Sequence, residues 1–186
     1  MTNSVLAALI FIISTLAQLY LLVLLLRLLL PVFRADFRNP FAQAILKLTS
    51  PLVIPLRRVL PPVGRVDTAT VVVAFAIQYL TILVTGLIAG RTSSILAIAT
   101  TSVVSLVSLT IKLFVFAILI RVVLSWIAPR SYNPALAIIY ALTDPVLRPF
   151  RRIIPPMGGI DLSPLFAMIA LMALSIIVSG IRLPAM

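Results

Sequence analysis

The chain has 186 residues, 62% of them apolar and only 10% charged, with a mean hydropathy of +1.26. Soluble domains carry about a quarter charged residues, so this composition excludes a water-soluble fold and indicates an all-α integral membrane protein. Fifteen Lys and Arg stand against four Asp, with no Glu, His or Cys, for a formal charge of +11; that balance excludes disulfides, thiol and imidazole catalysis and the usual zinc, copper and haem ligands.

Residues 4–33 form an apolar run interrupted by Ser14, Thr15, Gln18 and Arg27, longer than the roughly 20 residues that cross a hydrocarbon core. The start, Met1-Thr2-Asn3-Ser4, has no basic residue and the run is too long for a leader's apolar region, so it reads as a span. Phe33 to Asp67 is a basic segment with Arg34, Arg38, Lys47, Arg57, Arg58 and Arg65. Within it, Phe41 to Leu48 predicts a short amphipathic helix. Ser50 then caps a separate turn with Pro51 at its first position, Pro61-Pro62 ends it, and Gly64 reverses the chain. Residues 68–88 form the second span, closed by Gly86, Gly90 and Arg91.

The second half follows the same order. An apolar stretch over 98–128 contains Lys112 and Arg121 and ends near Trp126, an interface-type residue. A second basic segment, Pro129 to Asp161, contains Arg130, Arg148, Arg151 and Arg152, with Asp144 placed as a helix cap before Pro145. Ser163-Pro164 reads as a cap and first-turn proline for a last span over 162–181. Pro149 lies among Arg148, Arg151 and Arg152 and predicts kinked turns in place of one straight helix.

The two halves are copies. A shift of 94 positions aligns residues 27–67 with 121–161 without insertion, giving fifteen identities in forty-one positions, eleven of them Arg, Asn, Pro, Gly or Asp. Shared aliphatic composition cannot produce that pattern, so the chain is an internal duplication of 1–93 and 94–186. Each copy holds an even number of spans, so both insert with the same orientation and both basic segments lie on one side. Those segments carry ten of the fifteen basic residues, which predicts a cytoplasmic location for them and an external, periplasmic one for both termini. The architecture expected is four transmembrane helices in two tandem hairpins, each with an amphipathic Pro/Arg-rich loop.

Three sets of residues are candidates for function. Arg57, Arg58, Arg148, Arg151 and Arg152 form basic clusters suited to anionic headgroups or an acidic partner, or else serve only to fix topology. Arg27 and Arg121 occupy matched positions four to six residues inside the cytoplasmic boundary. There they either snorkel, or pair with Asp67 and Asp161 and tie each helix to its own loop, or line an anion pocket between the copies. Lys112, matched by Gln18, is the one deeply placed basic residue. Either it contributes to transport, or it reaches the outer interface with residues 92–105 outside the membrane; the second reading is favoured. No carboxylate lies within a span, which argues against a cation pathway. Gly86 and Gly180 read as packing or termination sites, Gly158-Gly159 as a turn, and Met168 and Met172 as packing residues and not a metal pair.

The doubled signature is Asn39-Pro40, Pro51, Pro55, Arg57, Arg58, Pro61, Pro62, Gly64 and Asp67, then Asn133-Pro134, Pro145, Pro149, Arg151, Arg152, Pro155, Pro156, Gly158 and Asp161. It resembles the YggT family of small bacterial membrane proteins, related to the plastid and Gram-positive YlmG proteins, and the resemblance covers nearly the whole chain. The resemblance implies links to osmotic-stress tolerance and ion homeostasis, to cell-division gene neighbourhoods, and, in plastid relatives, to cytochrome b6 haem assembly and nucleoid distribution. No defined biochemical activity comes with it.

These observations lead to a non-enzymatic protein of the bacterial inner membrane, without cofactor or metal. Its duplicated basic loops are expected to dock anionic lipid or other membrane proteins, and self-association is also expected. Direct nucleic-acid binding is not expected. The alternative is a small oligomeric channel or transporter acting in osmotic or potassium homeostasis.

Overall fold

The computed structural model describes residues 2–127, 133–154 and 161–181. Among these residues six helices follow in order: α1 Thr2–Val32, α2 Pro40–Arg57, α3 Thr68–Ile88, α4 Ile95–Ile127, α5 Pro134–Ile153 and α6 Ser163–Gly180. Four of them, α1, α3, α4 and α6, are long and apolar enough to cross a membrane, and the chain is an all-α multi-pass membrane protein. At 1.5 Å per residue α3 is about 31 Å long, matching a hydrocarbon core of about 30 Å, whereas α4 is about 50 Å long and extends beyond it.

The spans pack as α1 on α3, α3 on α4 and α4 on α6, with α1 also touching α4. One core joins Leu21, Leu24 and Leu25 of α1 to Val53 of α2, Val73 of α3 and Leu109 and Leu113 of α4. A second lies where Leu30 meets Ala42, Ile138 and Leu142, with Phe33 edge-on to Phe114 at 5.7 Å. A third joins Ile118, Leu147 and Ala167. Many large apolar side chains point away from these cores, Phe11, Leu16, Phe116 and Ile176 among them. Such continuous apolar exposure is suited to hydrocarbon, where close packing rather than water exclusion holds helices together.

The basic segments depart from expectation. α2 and α5 are each one continuous helix, running through Pro51 and Pro55 in α2 and Pro145 and Pro149 in α5. The reason lies in placement: all four prolines are on the exposed side, where the carbonyls deprived of an N–H partner can be hydrated and the helix can bend. Ser50 is not a cap, because its hydroxyl donates back to the Leu46 carbonyl at 2.6 Å, as Thr49 does to Ile45 at 2.6 Å. Asp144 is likewise interior to α5 and caps nothing. The caps are Asn39 and Asn133, whose side chains accept from the amides of Phe41 and Ala135 at 2.9 Å, with Pro40 and Pro134 in the first turn. Ser163 is the first residue of α6 and not its cap; its amide donates to the Asp161 carboxylate at 2.9 Å. Gly64 has φ +60 in the Val63–Val66 turn, a conformation that side-chain-bearing residues rarely adopt.

The two loop helices meet at their starts. The Asn39 side-chain amide donates to the Pro134 carbonyl at 2.6 Å, so both basic segments lie at one end of the bundle.

Candidate functional site

Arg27 sits near the end of α1, where α2 turns back beneath it. Its side chain is only 4% exposed, and its Nη1 donates to Thr49 Oγ1 at 2.8 Å, to the Leu46 carbonyl at 3.3 Å and to Ser50 Oγ at 3.3 Å. Snorkelling is therefore not what this residue does: α2 supplies its hydrogen bonds. Asp67 lies 3.7 Å from Arg27 Nε and 3.8 Å from Arg57 Nε. These are ion-pair distances but too long for direct hydrogen bonds. Arg27 Nε, Asp67 Oδ1 and Thr70 Oγ1 are all buried without a hydrogen-bond partner, so the first repeat holds a polar knot that is electrostatically matched but incompletely bonded.

The second repeat solves the same problem differently. Arg121 Nη1 donates to Thr143 Oγ1 at 2.8 Å, the counterpart of the Thr49 contact, and its guanidinium lies 4.5 Å above the Tyr140 ring. Its carboxylate partner is Asp144, at 2.6 Å, and not Asp161. The difference lies at one position: where the first repeat has Ser50 the second has Asp144, which places a carboxylate on α5 itself within reach of Arg121. Asp161 pairs with Arg151 Nε at 3.0 Å, and Arg151 also reaches Asp144 at 3.5 Å. The result is an alternating chain, Arg121, Asp144, Arg151, Asp161. Burial pushes the Asp161 carboxyl up, but the bonds from the Ser163 hydroxyl and amide and from Arg151 outweigh it, holding the group below its ordinary value.

The basic residues thus fall into two sets. Arg27, Arg57, Arg121 and Arg151 are committed to Asp67, Asp144 and Asp161. Arg58, Arg148 and Arg152 are exposed and, among the described residues, form no ion pair. Lys47, Arg34 and Arg38 are exposed at the same end. Pro155, Pro156, Gly158, Gly159 and Arg130 lie outside the described residues.

α4 begins at Ile95 and runs unbroken, and Lys112 shares a small cavity with Gln18 and Gln78. Gln78 is the eleventh of the 21 residues of α3, so Lys112 lies level with the middle of that helix. The sequence reading missed Thr49 and Thr143 as arginine acceptors and Asn39 and Asn133 as caps. The signal was present for both: each pair is identical at the 94-residue shift, and Asn-Pro ahead of an amphipathic stretch is a helix start. Tyr140 faces Leu46 in the alignment and left no such trace. Among the described residues no group of His, Cys, Asp and Glu is arranged to hold a metal ion.

Comparison with known proteins adds the following. A family model described as CCB3/YggT matches residues 6–88 and again 100–182. The uncharacterized protein PA0392 of Pseudomonas aeruginosa is 44% identical over 173 residues, 92% of this chain and 88% of that protein. The uncharacterized protein YggT of Escherichia coli is 35% identical over 162 residues, 87% of this chain and 84% of that protein. The uncharacterized protein ycf19 of Porphyra purpurea is 36% identical over 73 residues, 39% of this chain and 77% of that protein. No solved structure matches.

Proposed function

The chain belongs to the CCB3/YggT family, and from that premise we propose that it is a non-enzymatic organising or assembly protein of the inner membrane. Its paired α2 and α5 helices form a cytoplasmic docking surface for acidic lipid headgroups and for membrane proteins that carry them or acidic segments of their own. The observation that supports this reading is the division of the arginines: the inner set takes up Asp67, Asp144 and Asp161, and leaves Arg58, Arg148 and Arg152 outward without an ion pair among the described residues. A helix lying at the interface with its apolar face on the bundle and basic residues outward has the form of a headgroup-binding element. The excess of basic residues in these segments favours the cytoplasmic side. A role in osmotic-stress or ion homeostasis belongs to this proposal as its physiological setting.

Crosslinking and co-purification from membranes tests it. A partner recovered with the wild-type chain and lost from the Arg58→Gln, Arg148→Gln, Arg152→Gln triple variant supports docking; an unchanged set of partners contradicts it. The second reading, a small channel or transporter, draws on the polar cavity at Lys112. Ion flux from proteoliposomes that disappears in Lys112→Met would favour it, and tight vesicles would count against it.

A further inference from the structure

The four spans contain no carboxylate: the aspartates are Asp36, Asp67, Asp144 and Asp161, all outside α1, α3, α4 and α6, and the chain has no Glu. Lys112, eighteenth of the 33 residues of α4, therefore has no acidic partner within the spans. It lines a cavity of about 120 Å³ together with Gln18 of α1, Gln78 of α3, and Ser105, Ser108 and Leu109 of its own helix. On its other side it borders Met172, the tenth of the 18 residues of α6. Three helices thus agree that the cavity is level with the middle of the spans.

Hydroxyls in an apolar helix ordinarily turn back on the backbone. Ser102 and Thr110 do so, donating to the Ile98 and Leu106 carbonyls at 2.7 and 2.8 Å. Ser108, on the same helix between them, is buried and its Oγ has no partner. A buried hydroxyl without a bond and an ammonium without counter-charge are both costly in hydrocarbon, and both residues line one cavity, with Ser108 on its buried side and the exposed Lys112 and Gln18 on its open side. Its polar lining is an ammonium, two carboxamides and two hydroxyls, a set rich in donors and without anionic acceptors. That chemistry suits an anion and disfavours a metal cation. The volume gives room for a monatomic ion and a few waters. The location is also informative: Gln18 and Lys112 are equivalent positions of the two repeats, and ion sites built from repeats lie at the repeat boundary near the membrane midplane.

We infer that this cavity is an intramembrane binding site for a halide, chloride being the available ion. Lys112 supplies the counter-charge, and the Ser108 hydroxyl and the carboxamides of Gln18 and Gln78 supply hydrogen bonds. Chlorine NMR linewidths test the site on the full-length protein in lipid nanodiscs, with sodium chloride replacing sodium gluconate at constant ionic strength. Saturable broadening is expected in the wild type and in Arg91→Gln, which removes an exposed arginine outside the docking set and controls for chloride held at the surface. It is lost in Lys112→Met, and half-saturation moves to about tenfold higher chloride in Ser108→Ala, the effect of losing one hydrogen bond to an ion. Should Lys112→Met not fold, Ser108→Ala and Gln78→Leu decide the matter. Broadening that does not saturate in the wild type, or that is unchanged in the cavity variants, means a water-filled cavity and overturns the inference.

Discussion

The Arg121 guanidinium of α4 lies 2.6 Å from the Asp144 carboxylate of α5, whereas the position equivalent to Asp144 in the first repeat is Ser50. Asp144 is 43% exposed, so water offsets part of the contact. Replacing Asp144 by Ala is expected to destabilise the fold by about 1–3 kcal/mol, the range for a charge-assisted hydrogen bond. A double-mutant cycle with Arg121→Leu, followed by denaturation in detergent, should show the two losses to be less than additive. Additive losses would mean that the pair contributes nothing as a pair.

Arg27 presents the harsher case. Among the described residues its one carboxylate partner, Asp67, is buried to a similar degree, so Asp67→Asn leaves a charge uncompensated in the protein interior. A loss of about 3–5 kcal/mol is expected, as for other broken buried pairs. Arg27→Lys should not rescue the site, because a point charge cannot serve Thr49, the Leu46 carbonyl and Asp67 together. Melting temperature and membrane yield would both fall for either variant; a wild-type melting temperature for Asp67→Asn would contradict the burial of the knot.

Asp161 predicts a pH dependence of defined sign. Its folded pKa is lowered from the ordinary 3.8, so the unfolded chain binds more protons in the window between the two values and stability rises with pH there. The contribution is complete above about 3.8 and is lost as pH falls through the depressed folded value. Thermal unfolding of the wild type and of Asp161→Asn at a series of acidic pH values should therefore converge toward the acid end. A constant difference between them would contradict this linkage.

Gly64 isolates a purely backbone effect. No atom lies within 4 Å of a Cβ built there, yet φ is +60, so Gly64→Ala costs only the left-handed strain, about 1–2 kcal/mol. The same change at Gly180, where no positive φ arises and the Cβ again meets nothing, should leave denaturation midpoints unchanged or raised.

The duplication and the four spans were legible in the sequence because both rest on long-range pattern: apolar runs of sufficient length and a polar signature repeated at one spacing. The continuity of α2 and α5 was not. Pro51 and Pro145 locally disfavour helix in the preceding residue, and only the packing shows that the four interior prolines fall on the exposed side. Equivalence of the repeats also misled, since it implied the same partner for Arg27 and Arg121, and a single Ser50-to-Asp144 difference redirects the second. The depth of Lys112 was hidden for another reason. α4 is longer than the membrane is thick, so its own sequence does not say which part is level with the middle of the other spans, and the neighbouring Gln78 does.

The central claim is that Arg58, Arg148 and Arg152 face acidic headgroups, and lipid selectivity of the reconstituted protein measures it most directly. Electron paramagnetic resonance of spin-labelled lipids reports the preference for phosphatidylglycerol over phosphatidylcholine. With about 1 kcal/mol per basic side chain near the surface, the wild type should prefer phosphatidylglycerol, less so as salt screens the interaction. Most of that preference should vanish when the three arginines are replaced by glutamine. The same selectivity in the triple variant as in the wild type would contradict the account.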